Sequence, residues 1–203
     1  LAVLTTVVFA TAACSSGDAA TSGPSTQATS SPASTKPPTP QPTPRPTKET
    51  SAPKPDAKEQ AGLNQQLIAA AWDNDLRRAR SLIAQGANVN AKDSTVQSAY
   101  LISTSEGYLE LLNLTLEHGA DVDSKDSFNG TGLIRAADRG HADIAGRLVQ
   151  AGVEIDHINN LGWTALHEAI LLGDGSDRYV DTVRVLVAAG ADLRLRSQRD
   201  QTT

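Results

Sequence analysis

A glycine that recurs at a near-constant interval constrains this chain more than any other feature. Gly86, Gly119 and Gly152 stand 33 residues apart, and Gly190 follows five residues later than that period requires. Each closes a helix-like run ending in a mostly apolar pair (Leu82-Ile83, Thr115-Leu116, Leu148-Val149, Leu186-Val187). Each then opens an exit rich in Asx or Glu: GANVN, GADVD, GVEID and GADLR. Glycine suits the left-handed position that ends a helix, because it has no Cβ to clash there. A period of this length, with one helix end per copy, describes stacked units that contact only their neighbours.

The rest of the unit is in register. Twelve residues after each glycine stands Ser98, Thr131, Thr164 or Thr202, a hydroxyl placed to cap a helix. Short first helices follow at 67–71, 100–104, 133–137 and 166–170. A turn such as Gly107-Tyr108 or Gly140-His141 then leads to a second helix that runs to the next glycine. The segments Gly130-Thr-Gly-Leu-Ile-Arg-Ala-Ala-Asp-Arg-Gly-His141 and Gly162-Trp-Thr-Ala-Leu-His-Glu-Ala169 resemble the ankyrin repeat and its T-P-L-H-x-A signature. The resemblance covers four copies over residues 63–194. It implies an all-α repeat solenoid, an ankyrin stack of about four repeats whose β-hairpin loops project from helix pairs. The proline of the signature is replaced by Ala99, Gly132, Ala165 and Thr203, and only the fourth copy keeps the histidine, as His167. The fourth copy also carries five extra residues in the stretch Leu172–Tyr179, between its two helices. That long loop looks like one in bacterial ankyrin proteins with this type of repeat. The chain stops where a fifth first helix is due. The expectation is therefore a longer natural protein, with Leu166, Ile170, Val183 and Leu186 left without a neighbour.

Composition divides the chain. All ten prolines lie between Pro24 and Pro55. Residues 15–62 form a Pro/Ser/Thr-rich stretch too poor in apolar side chains to repay the entropy of ordering, so they read as a disordered tether with polyproline II character. Residues 63–203 are the repeat domain. Residues 1–14 end in Thr11-Ala-Ala-Cys14 after an uncharged apolar run too short to span a bilayer. This resembles a bacterial lipoprotein signal, although Thr11 stands where such signals usually have Leu and no basic start precedes it. The resemblance implies lipidation of Cys14, membrane attachment through that anchor alone, and display at the outer face of a bacterial cell membrane. Two or more acyl chains hold a protein durably where one does not.

The chain carries 18 Lys and Arg against 23 Asp and Glu, and the acidic excess falls in the repeat domain. That balance excludes the clustered basic footprint that nucleic acid requires. Cys14 is the single cysteine, so no intramolecular disulfide forms. No nucleophile elbow, zincin, P-loop or dinucleotide fingerprint occurs, so neither a catalytic set nor a cofactor is expected. By the ankyrin alignment His141 and His167 bond backbone or the capping Thr, while His118 sits at a helix end and His157 in a hairpin. Asp121, Asp123 and Asp126 lack the glycine and terminal acid of a calcium loop. Asp174, Asp177 and Asp181 belong to the start of a helix, so no metal is expected.

What remains is binding. Ankyrin proteins contact ligands with hairpin tips and first helices. The resemblance places Ser127, Phe128, Asn160, Leu161 and Trp163 on the tips. It places Trp72, Glu106, Asp138, Arg139, Leu171 and Leu172 on the first-helix side, with Ser94, Thr95, Gln97, Asp73, Ser105 and Gly130 beside them. Aromatic anchors dominate interface energetics, so Phe128 and Trp163 lead the set. The function expected is a monomeric, non-catalytic adaptor or scaffold that binds a protein partner on the cell envelope. The alternative is an immunity-type inhibitor that neutralises a secreted toxin or hydrolase, with the acidic Glu106 and Asp138 facing a basic partner.

Overall fold

The computed structural model describes residues 56–197. Cys14, most of the tether and the fifth-repeat residues Thr202 and Thr203 lie outside them. Among these residues eight helices follow one another in pairs: α1 (Ala57–Trp72) with α2 (Leu76–Ala84), α3 (Ala99–Glu106) with α4 (Leu109–Glu117), α5 (Gly132–Asp138) with α6 (Ala142–Gln150), and α7 (Ala165–Leu171) with α8 (Asp177–Ala188). The odd-numbered helices stack on one another in one layer and the even-numbered ones in a second. Between them runs an apolar core of Leu67, Leu101, Leu112, Leu133, Ile144, Leu148 and Leu186, all essentially inaccessible to solvent.

Local chemistry sets the helix bounds. The hydroxyls of Ser98, Thr131 and Thr164 accept hydrogen bonds from the backbone N–H three residues on, which starts α3, α5 and α7. Each such cap is worth about 1 kcal/mol. In α7, Nδ1 of His167 also accepts from the N–H of Thr164, closing a capping box. The periodic glycines take left-handed backbone at Gly86, Gly119, Gly152 and Gly190.

Three expectations are corrected. First, the ordered domain begins before residue 63. Asp56 caps α1 by accepting from the N–H groups of Lys58 and Glu59. Gln60 then donates to the Gly86 carbonyl at 2.7 Å, and Asn64 accepts from the Asn88 N–H at 2.8 Å, so this part of α1 covers the end of α2. Second, the projecting loops are not strand ladders. Among the described residues the sole β-type pairing is an isolated bridge between Lys125 and Thr131. A side-chain carboxylate or amide folds each loop instead. Asp93 accepts from the N–H groups of Thr95 and Gln97, Asp126 from Phe128 and Gly130, and Asn159 from Leu161 and Trp163. The fourth loop residue is then left-handed: Val96, Asn129 and Gly162. Third, Leu166 and Leu186 at the far end are buried, because they point back into the core shared with α6. The residues exposed there are Ile170, Leu171, Val187 and Leu193.

The extra residues of the fourth repeat are partly absorbed into α8, which has 12 residues where α2, α4 and α6 have 9 each. The added turn lays Tyr179 against Gly140, and its hydroxyl donates to the Asp138 carbonyl at 2.9 Å. One replacement of the signature proline has a clear cause. A Cβ at Gly132 would stand 2.7 Å from the hydroxyl oxygen of Tyr100 and 3.0 Å from Cγ2 of Thr104. Tyr100 is wholly buried and donates to the Val122 carbonyl at 3.0 Å. The second repeat thus fills with tyrosine the space that a side chain at 132 would need.

Candidate functional site

The loop tips and the odd-numbered helices enclose a groove of about 300 Å³ between the third and fourth repeats. Its walls include Phe128 from the third loop, Leu161 and Trp163 from the fourth, and Leu172 at the end of α7. Phe128 is 61% exposed and Leu161 45% exposed, far more than folding alone asks of such side chains. The Trp163 indole is turned inward, and its Nε1 donates to Oγ of Ser197 at 3.2 Å.

Polar side chains from α5 and α7 reach back to the base of their own loops. Arg135 donates from Nη1 to Oδ2 of Asp126 at 2.9 Å, and from Nη2 to Gln97 at 2.9 Å and Ser105 at 3.0 Å. It therefore ties the third loop to the second loop and to α3. Its Nε–H is buried without an acceptor. At the matching position of the fourth repeat stands Glu168, 5% exposed, whose Oε1 accepts from Asn159 Nδ2 at 2.9 Å. Burial pushes its carboxyl above the usual carboxylate range. The Asn159 hydrogen bond opposes that rise, and the negative charges of Asp138 and Asp126 add to it.

The groove gathers eight of the sequence candidates: Phe128, Leu161, Trp163, Asp138, Arg139 and Leu172 with Ser105 and Gly130 beneath them. Ser127 and Asn160 are exposed on the loop tips beside it, and the Asn160 N–H donates to the Phe128 carbonyl at 2.9 Å, fastening one tip to the next. Glu106 lies with Arg139 and His141 in a neighbouring hollow. Leu171 instead belongs with Leu166, Ile170 and Leu193 at the end of the stack, because α7 turns it away from the loops. Trp72, the last residue of α1, is exposed and not part of the groove. Ser105 and Gly130, expected on the surface, are buried. Sequence reasoning missed Arg135, Asn159 and Glu168. Their signal was a polar residue four places after the capping threonine, matched by an Asx five places before it.

The histidines sit in structural contacts. Nε2 of His141 meets the Ser105 carbonyl at 3.1 Å, Nε2 of His157 meets that of Asn129 at 2.8 Å, His167 completes the α7 cap, and His118 ends α4. Among the described residues, no cluster of His, Cys, Asp and Glu could hold a metal ion, and no helix is long and apolar enough to cross a membrane.

A family model described as ankyrin repeats (3 copies) matches residues 66–156 and 100–197, which together span most of the chain. The chain belongs to the ankyrin-repeat family. It is similar to an ankyrin repeat domain from Acinetobacter baumannii solved by crystallography, with 47% identity and a TM-score of 0.64. That similarity covers 66% of this chain and 68% of the other. A search of curated protein sequences finds no match. Ankyrin repeats are in general protein–protein interaction modules.

Proposed function

We propose that this ankyrin stack is a monomeric, non-catalytic adaptor on the outer face of a bacterial membrane, carried by lipid on Cys14 and docking one protein partner in the groove between its third and fourth repeats. The observation that carries the reading is the exposure of Phe128 and Leu161 over a groove that also holds Trp163. Rigid aromatic and aliphatic anchors around a concave polar floor are how interfaces concentrate binding energy. The address rests on the sequence Thr11-Ala-Ala-Cys14.

The test uses the full chain as bait against a cell-envelope fraction, beside a Phe128→Ala/Trp163→Ala variant. A protein retained by the first and lost from the second, while both give the same thermal midpoint, supports the docking site. Equal retention by both sinks it. If the retained protein is a hydrolase or toxin whose activity falls on binding, the inhibitor role replaces the adaptor. For the anchor, a clickable fatty acid fed to expressing cells is expected to label the protein, and Cys14→Ser to remove the label. Labelling that survives the substitution would refute lipidation at that residue.

A further inference from the structure

The two polar pairs in the floor of the groove, one half-buried and one buried, are not alike. In the third repeat Arg135 meets Asp126, and the charges cancel. In the fourth, Glu168 meets only the neutral amide of Asn159. One carboxylate oxygen takes that bond; the other has no hydrogen-bond partner within the protein and opens to the groove that this otherwise buried residue lines. Two cationic side chains also line the groove, and neither forms an ion pair with Glu168. Arg135 is bound to Asp126, and Arg139 lies 3.4 Å from Asp138 on the rim. A largely desolvated carboxylate with no counter-charge gains from a cation brought to its open oxygen, the more so once a docked partner excludes water. Phe128 and Trp163 line the same groove, and aromatic surfaces attract cations and stack well with a planar guanidinium.

We infer that Glu168 is the anchor for a basic side chain, foremost an arginine, which the protein partner inserts between Phe128 and Trp163. The inference rests on the docking reading above and specifies the chemistry of its occupant. The guanidinium supplies the charge that Glu168 lacks and donates to its free oxygen, while its flat faces lie against the aromatic walls. A partner with an acidic or wholly apolar tip leaves that carboxylate desolvated and unpaired, and is rejected for that reason.

The experiment uses the full chain carrying Trp72→Phe, which leaves Trp163 as the one indole, because the protein has two tryptophans. N-acetyl-arginine amide is titrated in while the Trp163 indole N–H resonance is followed. The expected result is a saturable shift, weakened about tenfold or more by Glu168→Gln, and missing with the uncharged citrulline analogue. Glu168→Gln keeps an oxygen to accept from Asn159, so the loop stays folded and the charge alone is tested. An unsaturable response, or one unchanged by citrulline or by Glu168→Gln, overturns the inference. The two readings also fail separately. If an envelope partner is lost with Phe128→Ala/Trp163→Ala but retained by Glu168→Gln, docking stands and the basic anchor falls. If the double variant retains its partner in full, the docking site itself is wrong.

Discussion

The third and fourth repeats hold their loops in the same way with opposite electrostatics. In both, the residue four places past the capping threonine reaches the Asx that folds the loop: Arg135 to Asp126, Glu168 to Asn159. The third repeat uses an ion pair, and its arginine goes on to grip Gln97 and Ser105 of the second repeat. The fourth uses a neutral donor and leaves a carboxylate facing the groove. The difference teaches that one backbone register serves two ends. A closed pair contributes cohesion between neighbours, whereas an open one leaves a charge free for the recognition role proposed above, at a cost in stability.

The largest effect expected from breaking this comparison lies in the third repeat. Arg135→Met leaves the half-buried Asp126 carboxylate with only its backbone donors and no cation, and cuts the link to the second repeat. A loss of about 3 kcal/mol is expected in urea unfolding, the lower limit for removing one partner of a buried pair, since three side-chain hydrogen bonds go with it. A loss below about 1 kcal/mol, the level of an ordinary surface change, would mean the pair does not clamp the repeats.

Next comes the first turn of the same helix. Ala165 fits fully buried in the fourth repeat, but a methyl group at 132 would collide with Tyr100. Gly132→Ala is expected to destabilise by about 2 kcal/mol through overpacking, and Tyr100→Leu in the same molecule to recover part of the loss. No recovery would show that Tyr100 is not the obstacle.

The second loop sharpens the contrast, because its own helix supplies no lock and it is held from the third repeat, through Gln97. Ile102 stands where Arg135 and Glu168 would be, and its left-handed residue is the β-branched Val96, with φ 63°, instead of Asn129 or Gly162. A left-handed β-branched residue costs about 1 to 2 kcal/mol, so Val96→Asn is expected to raise the unfolding midpoint. A lowered midpoint would show that the valine side chain contributes more through packing than its backbone loses.

The smallest effect is the pH dependence of Glu168→Gln. Because the folded carboxyl is raised above its unfolded value, the folded state binds the proton more tightly. Stability from this group is complete below the unfolded value near 4.5 and lost as pH rises through the folded one. The variant is expected to match the wild type at low pH and to exceed it at neutral pH, by about 1 kcal/mol or less. A variant less stable at pH 7 would mean that the negative charge itself holds the loop.

Much of the architecture was legible because it is local. Gly86, Gly119 and Gly152 announce helix ends, and Ser98, Thr131 and Thr164 announce starts three residues from the N–H groups they cap. That Phe128, Leu161 and Trp163 lie on neighbouring loops followed from the same register. The locks were not legible, since Arg135–Asp126 and Asn159–Glu168 meet only after each loop has closed and swung its Asx beside the helix. The early start of α1 was written as Asp56 with Glu59 three residues later, a helix-start pattern hidden by the prolines just before it. Leu171 was misplaced because its neighbour Leu172 does line the groove, and the turn of α7 separates two residues adjacent in sequence.

The fit of Tyr100 over Gly132 carries a consequence for how such a chain can grow. Repeat proteins lengthen when whole units are copied in tandem, and copying works freely only if every unit accepts every other. Here the second and third units form a matched couple. A copy of the second unit placed before the fourth would drive a tyrosine at the methyl of Ala165, and a third unit placed after any leucine-bearing neighbour would leave a hole. The order of these units is thus fixed by two side chains, one oversized and one absent, and the couple can be inherited or duplicated only together.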